Sequence, residues 1–188
     1  EIPLRLVGSE MCIRDRLCGV PSFGGRVPLT ALERIKNLHG NGAAAVAVVT
    51  YGNRAFDDTF AELQDALEAQ GFVVVAGVAA VTQHSIVNQF GAGIPNAEDQ
   101  TQLQAFGKEI AEKLTGTPKR AELPGNRPYL ERHGGGLVPM VSDACKGCGK
   151  CVTHCPVGAI PKDNPKTIDK DLCVSCMGCI SVCTQKAR

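Results

Sequence analysis

Eight of the ten cysteines in this 188-residue chain fall in its last stretch, in two runs of identical spacing. Cys145, Cys148, Cys151 and Cys155 read CxxCxxCxxxCP, and Cys173, Cys176, Cys179 and Cys183 repeat that spacing 28 positions later. Gaps of two residues let three successive thiolates turn toward one point on a tight loop, which suits three corners of an iron-sulfur cube. A single run cannot complete such a site. The same shift lays Ala159 on Ala187 and the Gly149 region on Met177 and Gly178, so the stretch is an internal repeat of two pseudo-symmetric halves. Two zinc sites or a set of disulfides are the other uses of clustered cysteines. Structural zinc sites usually pair two CxxC knuckles across a longer gap, without triplets followed by a trailing cysteine and proline.

On these residues the stretch resembles the bacterial ferredoxins that carry two 4Fe-4S clusters, over about the last quarter of the chain. In that arrangement the fourth cysteine of each run serves the other cluster. The resemblance implies one cluster on Cys145, Cys148, Cys151 and Cys183, and a second on Cys173, Cys176, Cys179 and Cys155. The second run departs from the pattern at Thr184, where the first has Pro156. Loss of that proline should loosen a turn and leave the ligand in place. His154, inside the first run, is a spacer because four cysteines already complete each set.

Composition narrows the function classes. With 20 basic and 19 acidic residues the formal net charge is +1, which leaves no electrostatic footprint for nucleic acid or an anionic membrane. No apolar run of about 18 residues exists to span a bilayer. The cluster spacing points to a reducing, cytoplasmic setting rather than to a disulfide framework. Residues 6–15, LVGSEMCIRD, read as an in-frame translation of a sequencing-library adapter. Residues 1–16, with Cys12, are therefore set apart from fold reasoning.

The elements that must carry this chemistry follow from residue 17. A short apolar piece ends at Pro21. Pro28 opens a helix with Leu29, Leu32, Ile35 and Leu38 along one face, and residues 39–42 break it. Residues 43–50 and 72–80 are continuous apolar runs of strand length, suited to parallel strands buried on both faces. Phe60, Leu63 and Leu67 mark the helix between them, with Asp57 and Asp58 at its start favouring the helix dipole. Asn96 caps a last helix, with Glu98 and Asp99 in its first turn and Leu103, Phe106, Ile110 and Leu114 on a buried face. Thr115 to Pro139, with Lys119, Arg120 and Gly134 to Gly136, forms a long connector between a domain at 17–114 and the cysteine domain at 140–188.

Alternating strands and helices predict an open parallel α/β sheet, whose ligands bind at the carboxyl ends of its strands. The loops there are 19–28, 51–58 and 82–86. At these residues the chain resembles the flavodoxins, and its order of pieces is similar to the flavodoxin-ferredoxin fusion proteins common in anaerobic bacteria. The resemblance implies an α/β fold with an incomplete flavodoxin-like sheet, followed by a small α+β ferredoxin domain. It implies that Ser22, Phe23, Gly24 and Gly25 flank one side of a flavin ring and Tyr51, Gly52 and Asn53 the other. Glycines there allow close backbone approach, although Gly and Ser also dominate ordinary turns. In a sheet ordered 2-1-3-4-5, strands one and two would precede Leu17 together with the phosphate loop. FMN is accordingly expected in an intact parent, and weak or no FMN binding, with poor solubility of the α/β half, in residues 17–188.

These expectations converge on electron transfer between redox partner proteins through two 4Fe-4S clusters, a task that needs no acid, base or nucleophile. An iron-sulfur flavoprotein reductase of quinones or other small acceptors, and a redox-sensing iron-sulfur module, are the alternatives. Turnover of a substrate separates the reductase from the carrier. His84, at a strand end, reads as a hydrogen-bonded loop residue.

Overall fold

The computed structural model describes residues 15–117, 119–132 and 136–188. Of the adapter-like segment 1–16, residues 1–14 with Cys12 lie outside them, as do Gly134 and Gly135 of the expected connector.

Three parallel strands, β1 (Asp15–Pro21), β2 (Ala44–Tyr51) and β3 (Val73–Val81), form one sheet in the order β1-β2-β3. Strand β1 starts at Asp15, two residues earlier than the apolar pattern indicates, because its backbone keeps register with Ala44 and Ala45 of β2 whatever its side chains are. Two helices, α1 (Leu29–Ile35) and α2 (Thr59–Glu68), cross over between the strands, and α3 (Ala97–Leu114) follows β3. Parallel neighbours require such crossovers.

The period-two alternation of each strand divides the apolar residues between two layers. On one face Val20, Ala45, Ala47, Val49 and Val74 pack with Val27, Ile35, Phe60, Leu63, Leu67 and Phe72 from the α1 and α2 side. On the other, Ala44, Val46 and Val75 pack with Ile110 and Leu114 of α3. A β-bulge lies opposite Ala45 and Val46, so that Val75 is passed over in the pairing. Its carbonyl accepts from Lys113 Nζ at 2.6 Å.

Three sequence expectations change at this level. Leu29 is 58% exposed, so the α1 stripe narrows to Leu32, Ile35 and Leu38. Strand β3 is buried at Val74 and Val75 but exposed at Gly77 and Ala79, because it is an edge strand. The apolar stripe of α3 (Leu103, Phe106, Ile110, Leu114) faces inward as expected but is only half-buried, with no α3 residue fully enclosed. Its start does follow the sequence. Asn96 Oδ1 accepts from the N–H groups of Glu98 and Asp99 at 2.8 and 3.1 Å, and Asp99 returns the bond to Asn96 N–H at 2.8 Å.

In the cysteine-rich stretch regular structure shrinks to two short helices, α4 (Lys150–His154) and α5 (Gly178–Ser181), packed on each other. Their backbones repeat. Each begins after a left-handed residue, Gly149 (φ 74°) and Met177 (φ 58°), and left-handed residues also recur at Gly147 and Ser175 and at Gly158 and Lys186. Every one of these pairs is 28 positions apart. Glycine adopts this conformation freely, whereas Ser175, Met177 and Lys186 each hold it at a cost of roughly 1–2 kcal/mol. The second run thus keeps the backbone of the first without its glycines.

Candidate metal centre

The crossing of the two halves is visible in their hydrogen bonds. Ser142, leading into the first run, donates its N–H to Ala187 O at 2.8 Å; Asp169, leading into the second, donates to Ala159 O, also at 2.8 Å. Ala159 and Ala187 are the buried residues four positions past the last cysteine of each run, 1% and 3% exposed. The end of each run is therefore tied to the beginning of the other.

This tie carries Cys155 of the first run to a cavity that it lines with Cys173, Cys176 and Cys179 of the second. Val157, Ile160, Ile168, Val174 and Met177 supply most of the remaining wall. Four sulfurs in an apolar wall match the donor set of a four-iron cluster, in which each iron takes one thiolate. No group of three or more His, Cys, Asp or Glu among the described residues converges tightly enough to hold one metal ion. Ligands to a cube are spread over four irons and need no such convergence.

All eight cysteines of the two runs are unbridged. Cys151 is buried, Cys148 exposed, and the other six lie between. Around Cys183 the backbone turns inward, and Ala187 N–H donates to its Sγ at 3.3 Å. That donor, with further N–H groups of Gln185 and Arg188, holds the Cys183 thiol below its usual range by favouring the thiolate. Burial pushes Cys179 up, against the lowering effect of the Arg188 charge. His154 rests its ring against Gly178, beside Cys176, where a Cβ on Gly178 would lie 3.3 Å from the imidazole. It acts as packing between the two runs.

The loops expected to flank a flavin sit together at the carboxyl ends of the strands. Ser22 N–H donates to Thr50 O at 2.8 Å, its hydroxyl lies 2.7 Å from that of Thr59, and Phe23 and Arg26 close a tight turn around Gly24 and Gly25. Tyr51 packs edge-on against Phe56, centroids 5.4 Å apart. Gly52 lies so close under His84 that a Cβ would stand 2.5 Å from its ring. Asn53 is exposed at φ 60°. His84 is a loop brace: its Nδ1 accepts from Ile86 and Val87 N–H, each at 3.1 Å.

A cluster of charges on α2 escaped the sequence reading. Glu62, 6% exposed, accepts from Arg26 Nε at 2.9 Å, from Arg26 Nη2 at 2.7 Å, from Val27 N–H at 2.8 Å and from Arg132 at 2.6 Å. Burial pushes its carboxyl up, but these donors more than offset it and leave it below the usual range. Asp58 stands at the helix start as expected but forms no cap there. Its carboxylate takes the N–H groups of Asn126 and Leu130, at 2.7 and 2.6 Å, and these hold its pKa down. Asp65 pairs with Arg127 at 2.6 Å and accepts from the Tyr129 hydroxyl; burial and that carboxylate push Tyr129 up to about 12. Residues 120–132, part of the expected connector at 115–139, are thus strapped along α2. The three acids lie one helical turn apart, a spacing that could have been noticed beside the later run of arginines.

The 4Fe-4S dicluster domain family matches residues 138–187. The chain is 38% identical over 54 residues to Ferredoxin-2 of Chlorobaculum tepidum, covering 25% of this chain and 87% of that protein. It is 43% identical over 44 residues to a component of an ion-translocating oxidoreductase complex of Methanosarcina acetivorans, covering 23% of this chain but only 17% of the relative's length. No solved structure matches the chain. The family match falls on the cysteine-rich stretch.

Proposed function

We propose, from the premise that this chain belongs through residues 138–187 to the 4Fe-4S dicluster ferredoxin family, that it carries single electrons between redox partner proteins. The observation that carries the reading is the cavity lined by Cys155 together with Cys173, Cys176 and Cys179. In this proposal those four hold one 4Fe-4S cluster, and Cys145, Cys148, Cys151 and Cys183 hold a second. The bound clusters supply one-electron chemistry. The protein holds them in place: the Ser142 to Ala187 and Asp169 to Ala159 bonds fix the spacing of the two cysteine sets, and the apolar wall keeps water from the sulfurs. Ala187 N–H, aimed at Cys183, stabilises negative charge on the ligand. No helix among the described residues is long and apolar enough to cross a membrane.

The α/β unit, residues 17–114 with the strap, is read as flavodoxin-like, and the sheet order β1-β2-β3 with loops gathered at one end supports this. FMN belongs to an intact parent in this reading. The present chain is expected to bind it weakly, and tight binding seen as flavin fluorescence quenching would overturn that expectation.

The cysteine assignment is tested by metal analysis of anaerobically reconstituted protein. About eight irons and eight acid-labile sulfides per chain are expected. Cys145→Ala and Cys183→Ala should remove the same half of the iron, with superimposable residual spectra. Loss of different halves would refute the crossed ligation, and stoichiometric zinc without labile sulfide would refute the iron-sulfur reading itself.

A further inference from the structure

The 28-residue repeat allows a position-by-position comparison of the two loops that present the second cysteine of each run: residues 146–150 around Cys148, and residues 174–178 around Cys176. Their backbones match, with left-handed residues at Gly147 and Ser175 and again at Gly149 and Met177. Their surroundings do not. The second loop is covered by other parts of the chain: a Cβ on Gly136 of the connector would run into Ser175 Oγ, Pro139 borders the cavity that Cys176 lines, and His154 of the first run lies against Gly178. The first loop is bare. A Cβ on Gly147 or on Gly149 would meet nothing within 4 Å among the described residues, and Cys148 is exposed where Cys176 is half-buried.

The bare loop is also charged. Lys146 and Lys150 stand two positions either side of Cys148, both are exposed, and neither belongs to an ion pair among the described residues. Residues 145–161 contain no Asp or Glu, whereas in residues 162–172, leading into the second run, Lys162, Lys166 and Lys170 are matched by Asp163, Asp169 and Asp171. Two unpaired ammonium groups beside an exposed ligand draw in a surface of opposite charge and turn away one of like charge, which orients an encounter before close contact forms.

We propose that the loop at residues 146–150 is the face through which electrons enter and leave the chain, and that its partner is a one-electron redox protein with an acidic surface around its own centre. This rests on the two-cluster reading above, in which Cys148 is a ligand. Electron transfer slows steeply with distance, and the exposed Cys148 brings its cluster nearer to a docked protein than the covered Cys176 brings the other. In each encounter one electron crosses. The donor centre is oxidised by one, the acceptor centre reduced by one, and no bond or proton is exchanged. The connector, by lying over the second loop, leaves the first half of the repeat to face outward.

The test uses the intact, anaerobically reconstituted chain, reduced with dithionite, desalted and mixed in stopped flow with one of two one-electron acceptors, an acidic b5-type cytochrome or a basic c-type cytochrome. Reduction of the acidic cytochrome should slow as salt is added, because screening removes the attraction between exposed charges, and reduction of the basic one should not. Lys146→Glu with Lys150→Glu should slow the acidic reaction about tenfold or more at low salt, with iron content unchanged. Lys166→Glu with Lys170→Glu makes the same change in net charge ahead of the second run and should slow it less than about twofold. Lys146→Gln with Lys150→Gln should give a smaller slowing of the same kind and keeps the test decisive if the glutamate pair fails to assemble. Equal slowing by the two lysine pairs, or salt dependences of the two cytochromes opposite to those expected, would overturn the inference and leave the two-cluster reading standing. Salt-sensitive self-association of the chain that the Lys146 and Lys150 variants abolish, read by analytical ultracentrifugation, would give the face to a second copy and overturn it equally. About four irons per chain would overturn both readings.

Discussion

The α/β unit and the cysteine-rich unit are stabilised in opposite ways. In the first, Val27, Ala45, Val49, Leu63, Leu67 and Val74 are completely buried, and a ring of charges on α2 fastens the strap. In the second, burial is confined to Cys151, Ala159, Ile160 and Ala187, while Met140 is 87% and Leu172 51% exposed. A unit of about 50 residues with so small a core lies in the range where a metal or cross-links usually supply the missing stability. The left-handed Ser175, Met177 and Lys186 point the same way, because strained backbone persists where something else dictates its path. One unit is held together by burial; the other is organised around what its thiolates bind.

The sharpest way to break this contrast is to remove the metal. Anaerobic chelation should abolish amide protection throughout residues 138–188 and leave β1, β2 and β3 protected. Hydrogen exchange reads both units in one experiment, and a cysteine-rich unit that stays protected without metal would remove the distinction.

A smaller effect is expected from Glu62→Ala. It leaves Arg26 and Arg132 without their carboxylate, and breaking such a buried pair typically costs about 3–5 kcal/mol. The urea midpoint of the α/β unit should fall accordingly, with iron content unchanged. Loss of iron in this variant would show that the units are coupled in stability.

The mildest perturbation is acid. Asp58, Glu62 and Asp65 all have folded pKa values below their ordinary ones. Their contribution is therefore complete above the unfolded carboxylate values, about 4, and is lost as pH falls through the lower folded values. The protection factors of the β2 amides, which already allow for the intrinsic pH dependence of exchange, should be flat from neutral pH down to about 5 and fall below about 4. Glu62→Gln should flatten part of that response. A decline that begins near neutrality would implicate other groups.

Much of this was open to inspection in the sequence because it is local. The cysteine spacing, the 28-residue repeat, the Asn96 cap and the three strands depend on residues a few positions apart, and those separations set which side chains share a loop or a face. The linkages that give the units their character are not local. Glu62 meets Arg26 and Arg132 across 36 and 70 positions, and Asp58 meets Leu130 across 72. No period in the chain encodes such pairings; they exist because parallel crossovers bring α2 under both the first loop and the strap. The exposure of Leu29 and the edge position of β3 were likewise settled by which neighbours the fold supplies. The cysteines themselves were plain in the sequence, but which of them share a wall was decided only when Ala159 and Ala187 each closed on the opposite run.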